Sequence, residues 1–462
     1  MGNRGTTALA AAARCAGASY LSVDTRLSSF RLPRRSLRLA VALAGGALAI
    51  HCLAVEEPVA RVVPPGGVAD PSLLPLASRQ PPNVGPYSAL NVPAQPAGFW
   101  YTDPVTHVRV WKVTSGTVPV PNSGAGHDYA DGGNQVSRGW GVNNNTHTIL
   151  IRGEAGMPYY LVDFTRGVGF TNYRPLSVQP PHDLCASFSG LAGQARILYV
   201  YTGAQLVRYN TATMRVENTG HFPLTVAHFA WLHQDMNDAW FIGLLGDNQT
   251  VWAWNSQTNQ FLTHDEAWTN EPRLERDGRY VVLTSGGGPS TVRVWDLVKD
   301  TLGPVQLVPY FSHLASLRSS WVAANPTQGS APFSHDRYVV TGDSVVWAQI
   351  LNQSAGSEVN YSGNWIQSNA DLGGDLRRQW LYVSGVDEAQ PWVGALLWQR
   401  AVGVARSDGS EQRLLLHHYT HAPQYWDNPW PQPSPDGKVV VFNSNMNGSG
   451  RYDLFVAEVP LR

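Results

Sequence analysis

The sequence predicts an all-β protein, a seven-bladed β-propeller of four-stranded blades whose ring is closed by an N-terminal strand. Three observations carry this. A turn followed by an apolar strand recurs seven times at intervals of roughly 40 to 60 residues. No helix-period segment of useful length separates the copies, because Gly, Pro and Asn turns come too often. Finally, 44 Gly and 17 Trp beside only 15% charged residues fit a turn-rich β protein, against the usual quarter or so of charged residues. Short strands at this period are the signature of propeller blades.

The copies run in order as HTILIRG from His147, ARILYVYTG from Ala195, AWFIGLLG from Ala239 and RYVVLTS from Arg279. RYVVTG from Arg337, QWLYVSG from Gln379 and KVVVFNS from Lys438 follow. Each is succeeded after a turn by a second strand: YYLVDF, QLVRYN, VWAWN, VRVWD, SVVWAQI, GALLWQ and YDLFVAEV. Turns such as Arg276-Asp277-Gly278 and Ser434-Pro435-Asp436-Gly437 supply tight-turn chemistry between β-branched runs. Residues 310–335 are irregular, so six or eight blades also fit. Phe99–Thr114 (FWYTDPVTHVRVWKVT) lacks a partner and is expected to pair with the last unit, removing an exposed edge.

Ahead of the ring, residues 1–54 carry Arg4, Arg14, Arg26, Arg31, Arg34, Arg35 and Arg38 against one acid, Asp24. A short apolar run, Leu37–Leu48, ends at Ala47-Leu48-Ala49. This reads as a secretory signal or an Arg-rich transit region, too short to span a membrane, and implies an exported, periplasmic or extracellular protein. Residues 55–98 hold ten prolines in 44 residues and read as an extended linker, with the folded part, 99–462, beginning near Phe99.

Charge is balanced at 33 basic and 34 acidic residues, which predicts no nucleic-acid partner and no membrane attraction. The chain is expected to be a monomer with a glycan or protein partner on its channel face. Cys15, Cys52 and Cys185 cannot build a disulfide framework or a Cys-based zinc site once the N-terminus is processed, leaving Cys185 as a buried thiol. Gly-x-Ser-x-Gly, His-Glu-x-x-His, Walker and dinucleotide patterns are absent from the sequence.

In a propeller the segments leading into the innermost strands converge on one face. Those segments contain His127, Tyr129 and Gln135, then His182, His228 and His264, then His313, Arg318 and Trp321. The last of them carries His417, His418, His421, Trp426 and Asn428. Eight of the 14 histidines fall there, the enrichment that a metal or acid/base site produces. Each histidine alone also fits a hydrated channel residue, and each aromatic a packing residue between blades.

The runs SPDGKVVVF…YDLFVAEV and RDGRYVVLTS…VRVWDL resemble TolB/PD40-type propeller repeats. The stretch before Ser434 is partially similar to the oligogalacturonate lyases, which carry Gln-x-x-His-x-His-Pro ahead of Ser-Pro-Asp-Gly. Pro431 and Ser434–Gly437 match that pattern; Asn428 and Trp430 stand in place of the histidines, and Gln424 is one position out. This resemblance implies a divalent metal in the channel and a histidine base that removes the proton α to a uronate carboxylate. On this chain it assigns His127 or His182 as base and Arg318 or a His-bound metal as carboxylate neutraliser. His228, His264, His313 and His421 become metal ligands, and Tyr129, Gln135, Trp321, Trp426 and Asn428 substrate contacts. A non-catalytic propeller that binds a protein or glycan is the alternative, and a two-carboxylate glycosidase a third.

Overall fold

The computed structural model describes residues 67–77, 85–119, 129–130, 140–143, 145–152, 158–181, 185–226, 229–246, 249–265, 272–284, 290–308, 312–317, 320–325, 334–352, 364–367, 380–385, 400–420, 429, 431–434, 436–446 and 449–462. These belong to one compact unit, Pro58–Arg462. Seven antiparallel sheets make seven blades.

Blade 1 pairs Tyr129–Ala130 and Trp140–Asn143 with Thr146–Arg152, followed by Tyr160–Thr165 and Gly169–Pro175. Blade 2 is Ala186–Phe188, Ile197–Tyr201, Gln205–Asn210 and Arg215–Glu217; blade 3 is Phe229–Gln234, Trp240–Leu245, Thr250–Asn255 and Phe261–Asp265. Blade 4 is Arg273–Leu274, Tyr280–Thr284, Ser290–Asp296 and Thr301–Leu302, and blade 5 is Ser312–Leu317, Ser320–Asn325, Ser334–Thr341 and Ser344–Asn352. Blade 6 is Asn364–Gln367, Trp380–Gly385, Ala401–Arg406 and Gln412–His417. Through blades 1 to 6 the first strand of each blade touches that of the next, so the first strands form the inner ring and the fourth face outward.

Blade 7 is composite. Gln432–Pro433, Val439–Ser444 and Asp453–Glu458 come from the C-terminus, and Arg109–Lys112 and Trp100–Thr102 complete the sheet. The closing register is Val110↔Ala457, Trp111↔Val456 and Lys112↔Phe455. The expected ring closure by the N-terminal strand is therefore observed. Alternation along this blade buries Val440, Phe442, Phe455 and Ala457 against blade 6, and Val439, Val441, Leu454 and Val456 against blade 1.

The hairpins joining third to fourth strands in blades 2, 3 and 4 share one device. Asn210 Oδ1 accepts the N–H groups of Ala212 and Thr213, Asn255 Oδ1 those of Gln257 and Thr258, and Asp296 Oδ1 those of Val298 and Lys299. An Asx side chain thus satisfies donors that the turn would otherwise leave open. The turns joining first to second strands link neighbouring blades. Asp238 of blade 3 accepts from Ser189, Gly190 and Tyr199 of blade 2, and Asp436 of blade 7 bonds His147 of blade 1 at 3.1 Å. Gly278 is the required residue in its turn: φ is +82°, and a Cβ there would overlap the Asp235 carboxylate of blade 3.

Three expectations are corrected. In blade 5, RYVVTG lies on the third strand and SVVWAQI on the fourth, one place later than the repeat pattern implied. In blade 6 the strand paired with Trp380–Gly385 is Ala401–Arg406, whereas GALLWQ falls outside the described residues. The proline-rich segment, for its part, belongs to the propeller rather than to a linker. Ala69 bridges Leu461, Leu76 bridges Arg413, and Ala69, Leu74, Tyr87 and Val92 are buried in the core between blades 6 and 7. Lys112 Nζ fixes the segment by donating to the carbonyls of Val92, Pro93 and Gln95. The single described α-helix, Gly85–Leu90, is six residues long and buries Tyr87. Cys185 is a buried thiol outside any disulfide, as expected.

Candidate functional site

The inner strands define where the approach segments arrive. Tyr129 lies on the inner strand of blade 1, its backbone paired with Arg152. His313 lies on the inner strand of blade 5 at a register shift between Ser312 and Leu314. A bulge at that position re-aims the chain, a feature over-represented beside active sites. His127, Gln135, His182, His228, Arg318, His421, Trp426 and Asn428 lie outside the described residues. In the chain, His228 directly precedes the blade 3 inner strand Phe229–Gln234. Arg318 falls between the paired ends Leu317 and Ser320 of the first and second strands.

Two assignments are corrected by described side chains. His264 sits on Phe261–Asp265, the outermost strand of blade 3. There its Nε2 meets Asp300 Oδ1 at 3.2 Å and its ring stands edge-on to Trp295 at 4.5 Å. It clasps blade 3 to blade 4 at the rim and is not placed to hold a channel metal. Trp321 is on the second strand of blade 5, fully buried with Val282, Val292, Val294 and Tyr338. It is a packing residue between blades 4 and 5, and the one-strand slip in blade 5 is why it read as a sugar contact.

The His417–His421 run also resolves in part. His417 ends the fourth strand of blade 6, packed on Tyr87 and Tyr419, and its backbone N–H donates to Asp103 Oδ2. Burial holds its imidazole below the ordinary value, opposed by the Asp103 charge. His418 is buried, and its Nδ1 accepts the Thr420 N–H at 2.9 Å. Both serve the blade 6–7 junction.

Residues that the sequence reading missed line the inner ring. His233 Nδ1 accepts the Leu274 N–H at 3.0 Å, tying the inner strands of blades 3 and 4. Gln234 Nε2 donates to Phe188 O and Asp238 Oδ1, tying blade 3 to blade 2. Next to the inner ring, Asn443 is the penultimate residue of the second strand of blade 7, and its backbone N–H donates to Pro429 O at 2.7 Å. Its side chain is buried, and both amide atoms lack a hydrogen-bond partner. A donor and an acceptor held there can serve a hydroxyl-bearing group, whereas left unmet they cost stability. The only sequence cue is an Asn inside a β-branched run.

The resemblance implies a divalent metal, which needs several His or carboxylate donors at one point. Among the described residues, no three His, Cys, Asp or Glu side chains converge to hold an ion. His264 is committed to Asp300. The described turn carboxylates are equally committed: Asp235 caps the N–H groups of Asn237 and Ala239, and Glu275 those of Asp277 and Arg279.

Seven four-stranded blades around an inner ring define a β-propeller. Two solved structures share this architecture across most of the chain. An oligogalacturonate lyase in complex with manganese is 14% identical with a TM-score of 0.55, covering 79% of this chain and 97% of its own. An oligogalacturonate lyase from Vibrio parahaemolyticus is 12% identical with a TM-score of 0.55, covering 78% and 96%. At these identities the likeness is one of fold. No protein-family profile and no curated protein sequence matches the chain. Among the described residues no helix is long and apolar enough to cross a membrane.

Proposed function

We propose that this protein is an exported propeller that cleaves uronate-containing oligosaccharides by β-elimination. The observation supporting it is the shared backbone: the similarity runs through 97% and 96% of the two lyases, so it takes in the complete ring and not a few blades. β-Elimination needs a base near neutral pH at the carbon α to the carboxylate, and histidine suits that task. His127 and His182 are the candidates, each just ahead of an inner strand. Developing charge on the carboxylate needs a fixed cation. His228, His313 and His421 are the residues that would hold a divalent ion of the kind present in the manganese complex. Tyr129, Gln135, Trp426 and Asn428 are assigned to the sugar.

The test is turnover of a panel of oligogalacturonates and other uronate oligosaccharides, with and without added manganese. Elimination yields a conjugated product with new ultraviolet absorbance and no uptake of water by mass. His127→Ala or His182→Ala should lower kcat by about 100-fold or more. If no substrate turns over under either condition, the lyase reading fails. Saturable glycan binding without turnover would then establish the non-catalytic alternative.

A further inference from the structure

We propose that the seam between blades 5 and 6 contains a carboxylate-binding site built on Arg337 and Ser320. Arg337 lies on the third strand of blade 5 and is 8% exposed. Its Nη2 donates to Ser320 Oγ at 3.1 Å, while Nε has no partner. No acidic side chain forms an ion pair with it among the described residues. A guanidinium carries five N–H donors in a planar fork, and one bond to a neutral hydroxyl leaves the buried Nε–H unmet. Burying a charge in that state is costly unless an anion joins it.

The register shows which way the group faces. The backbone pairs Leu317↔Ser320, Val322↔Arg337 and Arg337↔Ala348 put the side chains of Leu317, Ser320, Arg337 and Ala348 on one face of blade 5. The intervening Trp321 and Tyr338 point the other way, into the blade 4 core. Leu317 packs with Leu381, Val383, Ala401, Ala405 and Leu414, so the Arg337 face meets blade 6. On that seam blade 6 sets the small residues Ala401 and Ala405 beside Leu381, Val383 and Leu414, so the wall that meets this face is apolar. On the outer side, Val346 and Ala348 of the fourth strand are exposed.

The carboxylate whose field reaches Arg337 is Asp408, in the blade 6 hairpin, and it does not complete the site. Its carboxylate accepts from the Ser410 N–H at 3.0 Å and the Ser410 hydroxyl at 2.6 Å. Asp408 raises the basicity of Arg337 from a distance, but burial prevails and holds the guanidinium below its ordinary value. A planar two-oxygen anion matches the fork side-on, through Nε and a terminal nitrogen. Because the walls are apolar, the ligand class is a small organic carboxylate rather than a hydrated inorganic anion.

The experiment uses the full chain and acetate as probe, with chloride at equal ionic strength as control. Ligand that binds only the folded state raises Tm with saturation. Acetate should raise the wild-type Tm saturably above chloride, and Arg337→Met should abolish that increment. Ser320→Ala should weaken the apparent acetate affinity by about tenfold, through loss of the group that fixes the fork. A wild-type response to acetate equal to that of chloride overturns the proposal, as does an increment retained in Arg337→Met. If Arg337→Met does not fold, Ser320→Ala decides: an unchanged acetate affinity overturns it.

Discussion

Lys112 and Arg337 are both buried cations in the seams of one ring, and the protein solvates them in opposite ways. Lys112 Nζ stands 3.0 Å from Asp453 and donates to three carbonyls from the segment ahead of the propeller. Asp453 is in turn bonded by Thr114 and Arg451. Arg337 has one hydroxyl. Around Lys112 the apolar core is extensive, joining blades 6 and 7 to Tyr87, Val92 and Tyr101. Around Arg337 the described apolar cluster is small. The difference teaches that a buried charge marks a clasp where its partners are built in, and a vacancy for a ligand where they are not. Lys438 falls between the two: buried, its amine without a hydrogen-bond partner, and two residues from the well-bonded Asp436.

The largest expected effect tests that contrast directly. Lys112→Met leaves Asp453 buried beside an apolar chain and releases the Val92–Gln95 carbonyls. It should lower unfolding free energy by about 3 to 5 kcal/mol in urea titrations. Arg337→Met in carboxylate-free buffer removes a charge that has no built-in counter-ion and should change stability by less than about 1 kcal/mol in either direction. Equal losses in the two variants would break the comparison.

Asp436 sharpens it from the acid side, as a buried anion whose partners are complete. Burial pushes its carboxyl up, but His147, the Ser434 hydroxyl and the Lys438 N–H outweigh this and hold it at about 2. Its folded value is depressed below 3.8, so its contribution is fully present above that pH and is lost as pH falls toward about 2. The amount is about 2 kcal/mol. Asp436→Asn should lose it at neutral pH and flatten the acid limb of stability against pH. An unchanged acid limb would mean the interblade bond contributes nothing.

How much of this was legible depended on whether the cause was local. VWAWN and VRVWD declared themselves as strands ending in Asx turns, since alternation and turn chemistry act over a few residues. Phe99–Thr114 declared its need of a partner by lacking one. Blade 5 was misread because RYVVTG has the pattern of a second strand, while its true second strand, Ser320–Asn325 (SWVAAN), has a single β-branched residue, Val322; Trp321 was misassigned with it. The proline-rich segment looked like a linker because its anchors, Arg413 and Leu461, lie more than 300 residues away. Within it, Asp70 caps Ser72 ahead of a short Pro71–Leu73 turn, a cue that composition alone hides. Histidine enrichment pointed to the approach face but could not rank its members. His264 went to the rim and His417 to a buried junction because strand order, not residue type, decides depth. Arg337 gave no signal, for its burial is set by blade 6.

The smallest expected effect is at His417, where the anchoring segment meets the ring. Its imidazole faces Tyr87, Tyr419 and Asp103, and the Tyr87 hydroxyl donates to the same Asp103 oxygen at 2.5 Å. Arg400, in the preceding turn, adds a further charge felt by Tyr419. Burial lowers the folded value of His417 below 6.5 against the opposing pull of Asp103. The unfolded chain therefore binds the proton more tightly, and the penalty for keeping His417 neutral grows as pH falls below 6.5. Stability should rise with pH across that window in wild type. In His417→Phe the local slope should shrink, with the acid limb of Asp436 unaffected. A slope that survives unchanged would place the titration elsewhere and leave this junction held by ring packing and the Tyr87–Asp103 bond alone.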